Sequence, residues 1–280
     1  MNTADPSHDP NPDSSPPAAR RSVLGRLAML VSGAAVGTAA VRNAQATTGS
    51  DAGRIAALEN ELKSMSNRLG VIEDIQAIRK LQHAYGYYMD KCLYEQVVDL
   101  FADDGEVVFG NGVFKGKAGV RRLYIEIFRK NFTGGREGPM TGFLLEHPQL
   151  QDIVDVAPDR TTAHGRFRCL MQAGSHESAK DPPAGLPPQW WEGGIYENTY
   201  RRANGVWRIQ RLNYHVAFQG TFETGWRHWS AGSALTMKTF PENPAGPDEM
   251  LQDGLKSWPE TPVVPYHYAH PVTGKRWAQV

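Results

Sequence analysis

The chain has 280 residues with 30 basic against 30 acidic, no formal net charge, and 40% hydrophobic residues. At this length one domain with extensions is the expectation, and balanced charge argues against nucleic acid or an anionic membrane surface as the main partner. Two cysteines, Cys92 and Cys169, are too few for a disulfide scaffold or a four-thiolate zinc site, and no glycine-rich phosphate cradle is present, so nucleotide chemistry has no support.

Residues 1–19 are rich in Pro, Asp and Ser, and Arg20-Arg21-Ser22-Val23-Leu24-Gly25-Arg26 follows. A weakly apolar run from Leu27 to Val41 then leads to Ala44-Gln45-Ala46. Paired arginines, a short apolar core and a small-x-small site resemble a twin-arginine export signal, which predicts cleavage after Ala46 and a periplasmic mature protein with no membrane association. Cleavage removes four arginines and three aspartates and leaves a formal charge of about −1. Both cysteines read as small core residues with free thiols.

Residues 47–70 read as an N-terminal helix, and Ile55, Leu58, Leu62, Met65, Leu69 and Ile72 alternate spacings of three and four with charges between them. This heptad seam, about two and a half repeats long, suits either an oligomer contact or a helix packed on its own domain. Past Gly70 the helical pattern resumes through Ile75, Ile78, Leu81, Tyr85 and Tyr88, turns near Lys91, and is expected to break at Asp103-Asp104-Gly105. Glu106 to Phe114 reads as a hairpin around Gly110-Asn111-Gly112, and Lys117 to Phe132 as a helix.

The period then changes to two. Leu145 to Val156, Thr161 to Ala173, Gly193 to Arg202 and Val206 to Phe218 are strand candidates, the last two joined by the hairpin signal Asn204-Gly205. Helices followed by an antiparallel meander predict an α+β domain over residues 71–225. Ser175 to Gln189, long and Pro-rich, reads as a lid or a disordered loop, and residues 226–280 as an extended Pro- and aromatic-rich arm.

Asp90 stands near the end of the second helix, where the dipole and any desolvation raise a carboxyl pKa and suit acid–base work; a solvated helix-end aspartate is the other reading. Tyr85 shares the apolar stripe with Ile78 and Leu81, as a core tyrosine or a hydroxyl donor. His147, before Pro148 at a strand entrance, is either structural or a proton shuttle near neutral pH. Asn213 and His215 share one face of the last strand, opposite Leu212 and Tyr214, and one of those faces points inward. The remaining histidines show no metal-ligand spacing, so no metal is expected.

The run Asp74-Ile75-Gln76-Ala77-Ile78-Arg79-Lys80-Leu81, with Tyr85, Asp90, Asp99-Leu100-Phe101-Ala102-Asp103-Asp104 and Phe114-Lys115-Gly116-Lys117, resembles the SnoaL-like branch of the nuclear transport factor two-like superfamily over residues 54–218. The resemblance implies a cone: a curved antiparallel sheet around a pocket, closed by N-terminal helices, commonly in homodimers or homotrimers. It also implies cofactor-free tyrosine, aspartate and histidine chemistry like that of the bile-acid and scytalone dehydratases, which falls here on Tyr85, Asp90 and His147. The second carboxylate of the bile-acid enzyme falls near Met171, which cannot transfer a proton, and its last-strand arginine near His215. The tail from Tyr266 to Gly274 and the Trp190-Trp191 pair are similar to those of lyases that remove formaldehyde from lignin-derived diaryl compounds.

These readings converge on a lyase for a hydroxylated aromatic or polycyclic small molecule. Asp90 is expected as the base, His147 as its partner, Tyr85 as a donor, His215 or Asn213 as an orienting group, and Tyr88, Met171 and Trp191 as substrate contacts. The alternatives are a non-catalytic periplasmic carrier for an apolar ligand and an assembly module like the small subunit of ring-hydroxylating dioxygenases.

Overall fold

A computed structural model of the protein describes residues 40–228, 238–251 and 256–277, with side chains from Ser50 onward. The expected export signal lies outside the described residues except for its last few backbone positions. The chain divides into two units, Met1–Asn60 and Glu61–Val280. What is described of the first is helical, part of α1 (Ala40–Asp90). No helix of the described residues is long and apolar enough to cross a membrane.

The helix expected to pause at Gly70 runs through it. A Cβ there would overlap the Arg160 guanidinium, whose Nε donates to Asp74 Oδ2 at 2.5 Å, so the glycine makes room for a salt bridge that ties α1 to the sheet. The seam side chains are uncovered, from 56% exposed at Ile72 to 69% at Leu62. Further along, Ile78, Tyr85 and Met89 turn into the core, and α2 (Tyr94–Asp99) follows after the turn at Lys91 and Cys92.

Then come β1 (Phe101–Phe109), β2 (Gly112–Lys115) and α3 (Gly116–Arg121), which continues as a π-helical stretch (Arg122–Arg129) into α4 (Lys130–Thr133). The rest is β3 (Phe143–Glu146), β4 (Gln149–Val156), β5 (Thr162–Ser175), β6 (Gln189–Ala203), β7 (Val206–Thr221) and a short β8 (Glu249–Met250). These strands form one unclosed sheet in the order β3-β5-β6-β7-β1-β2-β8, with β4 also on β5. Every pairing is antiparallel except β1 with β7. The Asn204-Gly205 hairpin forms as expected, with both residues at positive φ (51° and 79°).

Three boundaries differ from the sequence reading. Asp103-Asp104-Gly105 does not end in a loop: β1 begins at Phe101 and takes these residues up in a register irregularity against β7. The strand expected from Leu145 to Val156 is two, because Pro148 has no N–H and the N–H of His147 goes to Asp90 instead of the ladder. And β6 starts at Gln189, four residues earlier than expected, so the tryptophan pair belongs to the sheet.

Alternation sorts the long strands into two faces. Phe167, Cys169, Met171 and Ala173 of β5, Trp190, Tyr196 and Tyr200 of β6, and Leu212 and Tyr214 of β7 are buried beneath the helices. On this buried face, Gln82 Oε1 accepts from Tyr200 Oη (2.8 Å) and Asn198 Nδ2 (3.0 Å), while Gln82 Nε2 donates to Gln149 (2.8 Å). The opposite face carries Arg166 and Glu197, and the C-terminal arm lies against it. Arg166 donates to the Val264 and Pro265 carbonyls, and the His267 ring meets Glu197 at 2.5 Å.

Candidate functional site

Between the helices and the inner sheet face lies a cavity of about 180 Å³. Its walls are aromatic and aliphatic: Tyr85 and Met89 from α1, Tyr124 and Phe128 from the π-helical stretch, Leu145 from β3, Met171 from β5, Trp190 and Tyr196 from β6, and Leu212 and Tyr214 from β7. Leu186 and Pro187, from the long loop before β6, line one side. Among the described residues the lining holds no lysine or arginine, and its ionisable groups besides tyrosine are His147 and Glu192.

His147 is held by Asp90. A single oxygen, Asp90 Oδ1, accepts the backbone N–H of His147 at 2.6 Å and lies 3.2 Å from its Nδ1. Both side chains are nearly buried, with 8% of Asp90 and 11% of His147 exposed. An ionised Asp90 can only accept, an arrangement that suits the tautomer with hydrogen on Nδ1 and the lone pair on Nε2. Gly86, one turn before Asp90, lets this happen: a Cβ at that position would stand 2.9 Å from the His147 carbonyl oxygen. Gln149 Nε2 donates to the same carbonyl at 2.9 Å, and through Gln82 it links the dyad to Asn198 and Tyr200.

Four tyrosines gather beside this dyad. Tyr85 Oη and Tyr124 Oη are 3.1 Å apart, and Tyr196 stacks on Tyr214 with ring centroids 4.4 Å apart. Burial pushes the Tyr85 phenol up to about 12 despite its hydrogen bond to Tyr124, so it stays a neutral donor. Tyr214 Oη is buried without a hydrogen-bond partner of good geometry, although the Glu192 carboxyl lies near enough for each to shift the other's ionisation.

The SnoaL-like domain pattern matches residues 70–213, half of the chain. The chain belongs to the SnoaL-like domain family. Among solved structures this SnoaL-like protein is similar to one assigned as a scytalone dehydratase from Novosphingobium aromaticivorans, with 18% identity, 60% of this chain and 96% of the other covered, and a TM-score of 0.43. It is likewise similar to an NTF2-like protein with a cystatin-like fold from the same organism (21% identity, 60% and 90% covered, TM-score 0.39). A third is the hexachlorocyclohexane dehydrochlorinase LinA-type3 of Novosphingobium barchaimii (18% identity, 61% and 98% covered, TM-score 0.41). No curated protein matches the chain.

Of the residues singled out from the SnoaL-like sequence, the fold brings Tyr85, His147 and Met171 to the cavity and sets Asp90 directly behind His147. Four others lie elsewhere. Tyr85 and Met89 face the cavity, whereas Tyr88 opens on a surface groove beside His83 and Tyr87. Trp191 stacks on Phe222 outside, and its neighbour Trp190 takes the inner place. Asn213 and His215 alternate with the inward Leu212 and Tyr214 and therefore point to the other face. There burial lowers the His215 pKa, and Glu197, Arg166 and Arg211 are the charges it feels.

Glu192 is the site residue that the sequence reading passed over. It falls between the loop expected to end at Gln189 and the strand expected to begin at Gly193, but continuing the alternation of Tyr196 and Gly194 back by two residues puts it on the inner face. Cys92 and Cys169 are both free and buried. Among the described residues no three His, Cys, Asp or Glu side chains form a metal-binding group.

Proposed function

We propose that this protein is a cofactor-independent lyase that eliminates water or formaldehyde from an uncharged hydroxylated aromatic molecule, with lignin-derived diaryl compounds as one fitting class. The observation that supports it is the Asp90–His147 pair at the wall of an aromatic cavity with no cation among its described lining residues. Aromatic walls favour a ring, and a carboxyl without a balancing cation disfavours an anion. A cavity of about 150 Å³ holds benzene, so one substituted ring fills this one.

His147 Nε2 acts as the base, taking the proton whose removal starts the elimination. Asp90 is a positioning residue: it fixes the tautomer and offsets the imidazolium charge as it forms. This reverses the order of the two expected from sequence. Tyr85, neutral and hydrogen-bonded to Tyr124, donates to the substrate oxygen. None of these steps calls on a metal or an organic cofactor.

The test is turnover of a panel of β-hydroxylated aryl alcohols, including 1,2-diarylpropane-1,3-diols, with mass-spectrometric detection of lost water or formaldehyde. Asp90→Asn and His147→Gln are each expected to lower kcat by about 10²–10⁴-fold with the fold intact. Binding without product would leave an apolar-ligand carrier instead, and full activity in both variants would remove the Asp90–His147 pair from the mechanism. The same reading extends to place and assembly: export to the periplasm, checked by the N-terminus of the mature protein, and self-association through the uncovered helix seam.

A further inference from the structure

A general base removes only one of the two obstacles to elimination. The departing oxygen also needs a proton, and Met171, where the resemblance locates a second carboxylate, has none to give. The sheet register shows where one is found. Met171 pairs with Glu192 on β6, and Glu192 pairs with Gln219 on β7. The β3 and β4 registers (Glu146 with Gln172, Gln149 with Cys169) set His147 opposite Met171 on the other side. His147, Met171, Glu192 and Gln219 thus form one lateral row across the inner face, and all four line the cavity.

We infer that Glu192 is the proton donor of the reaction, standing in on β6 for the carboxylate that β5 lacks. This rests on the lyase reading above and extends it to the leaving group. Two strand spacings, about 10 Å, separate the backbones of His147 and Glu192, which leaves Met171 as an apolar floor and room for a substrate between base and acid. Gln219 Nε2 donates to Glu192 Oε2 at 3.3 Å, which leaves Oε1 to carry the proton. The apolar walls strip the carboxyl of water, and that burial pushes its pKa up against the opposing pull of Tyr214 and His147.

The step balances. His147 Nε2 takes a proton from the carbon or hydroxyl of the substrate, and the freed electron pair forms the new double bond. The bond to the leaving oxygen, or the carbon–carbon bond to the departing hydroxymethyl group, breaks. In dehydration the Oε1 proton of Glu192 goes to the leaving hydroxyl, which departs as water; in formaldehyde loss it goes to the carbon or oxygen left with the electron pair. Imidazolium then returns one proton to solvent and Glu192 regains one, so no oxidant or second reactant is consumed. The leaving group this arrangement serves is a poor one, an alkyl hydroxyl or ether, because only such a group needs an acid.

The first test needs no substrate. Infrared difference spectra of the protein over a pH series are expected to show a protonated-carboxyl band that persists after the surface carboxyls have ionised. That band should be absent from Glu192→Gln and shifted in Glu192→Asp, which covers the case in which the glutamine variant fails to fold. A band unchanged in both variants would overturn the assignment. The second test compares two substrates that differ only in the leaving group, hydroxyl and 4-nitrophenoxide. Glu192→Gln is expected to lose about 10²–10⁴-fold on the first and less than about tenfold on the second, and Asp90→Asn to lose on both. Equal losses of Glu192→Gln on the two substrates would sink the role of Glu192 alone, whereas an undiminished Asp90→Asn would sink the lyase reading beneath it.

Discussion

Gly86 decides how close His147 comes to Asp90, and Gly86→Ala measures it. In a free helix this change gains up to about 1 kcal/mol, because glycine is the poorer helix former. Here the new Cβ would lie 2.9 Å from the His147 carbonyl oxygen and 3.0 Å from Gln149 Cγ. Ordinary contact begins near 3.4 Å, so one side must retreat by about 0.5 Å. The Gln149 amide is itself held by the His147 carbonyl and by Gln82, and the carbonyl belongs to the residue whose N–H is pinned at 2.6 Å to Asp90. Overpacking of this kind costs about 1–3 kcal/mol, so net destabilisation of about 1 kcal/mol is expected where a gain would otherwise be seen. A displaced imidazole also costs rate, up to about 10²-fold for 1 Å. Urea unfolding gives the first number, and the downfield Nδ1–H resonance of His147 together with kcat gives the second. A Gly86→Ala protein that is more stable than its parent and equally active would refute the argument that this glycine seats the dyad.

Tyr85→Phe removes a buried hydroxyl that pairs with Tyr124, which costs about 1 kcal/mol in stability; a larger loss, about 10²-fold in kcat, is expected if that hydroxyl holds the substrate oxygen. Asp74→Asn breaks contacts to Arg160 Nε (2.5 Å), Arg202 Nη1 (3.1 Å) and Trp207 Nε1 (3.0 Å) and should cost roughly 3 kcal/mol in a urea titration. Burial pushes the Asp74 carboxyl up, but the arginines and Trp207 outweigh it and the pKa is lowered, so its stabilisation is present above the unfolded carboxylate range and fades as pH falls through the folded value; the variant should show a flatter acid limb in thermal unfolding. Leu62→Glu with Leu69→Glu, both on the uncovered seam, should lower the sedimentation coefficient to that of a monomer, since a parallel in-register pairing would set Arg54 against Glu59 and Arg68 against Glu73.

How far the site was legible follows from which physical signals are local. The change from a helical to a twofold period is local, and it placed α1, the helix from Gly116 and the long strands. The spacing that puts Tyr85 on the apolar stripe is local as well. The partner of Asp90 is not: Asp90 and His147 are 57 residues apart, and only the resemblance joined them before the fold did. Asp90 looked equally like a solvated helix end because nothing nearby in sequence shows that Gly86 admits another strand against the helix. Glu192 was missed for a related reason. Prolines and glycine before it read as loop through Gln189, yet Gly193-Gly194, taken as the strand start, are where β7 bulges at Ala217 and lets the sheet curve.

The face ambiguity at His215 has the same root, and resolving it shows why the chemistry sits where it does. Alternation states that Asn213 and His215 share a side but not which side is inner; Leu212 and Tyr214, buried under the helices, settle that. The outer side is not left to solvent either, since Arg166 and Glu197 bind the C-terminal arm there and His164 stacks on His267 at 5.6 Å. Arg166, Glu197 and His164 of β5 and β6 are thereby used to fasten a covering strap, and the Arg166–Glu197 ion pair satisfies both charges. On the inner face the same strands carry one carboxyl, Glu192, among aromatic side chains. A lone carboxyl in that setting gains nothing for stability: its raised pKa means the folded state loses ground as pH rises from the unfolded carboxylate range through the folded value, so it weakens the fold near neutrality. A destabilising acid held by Gln219 and aimed at a cavity across from a seated imidazole is therefore better accounted for by the work it does on a bound molecule than by any part in holding the sheet together.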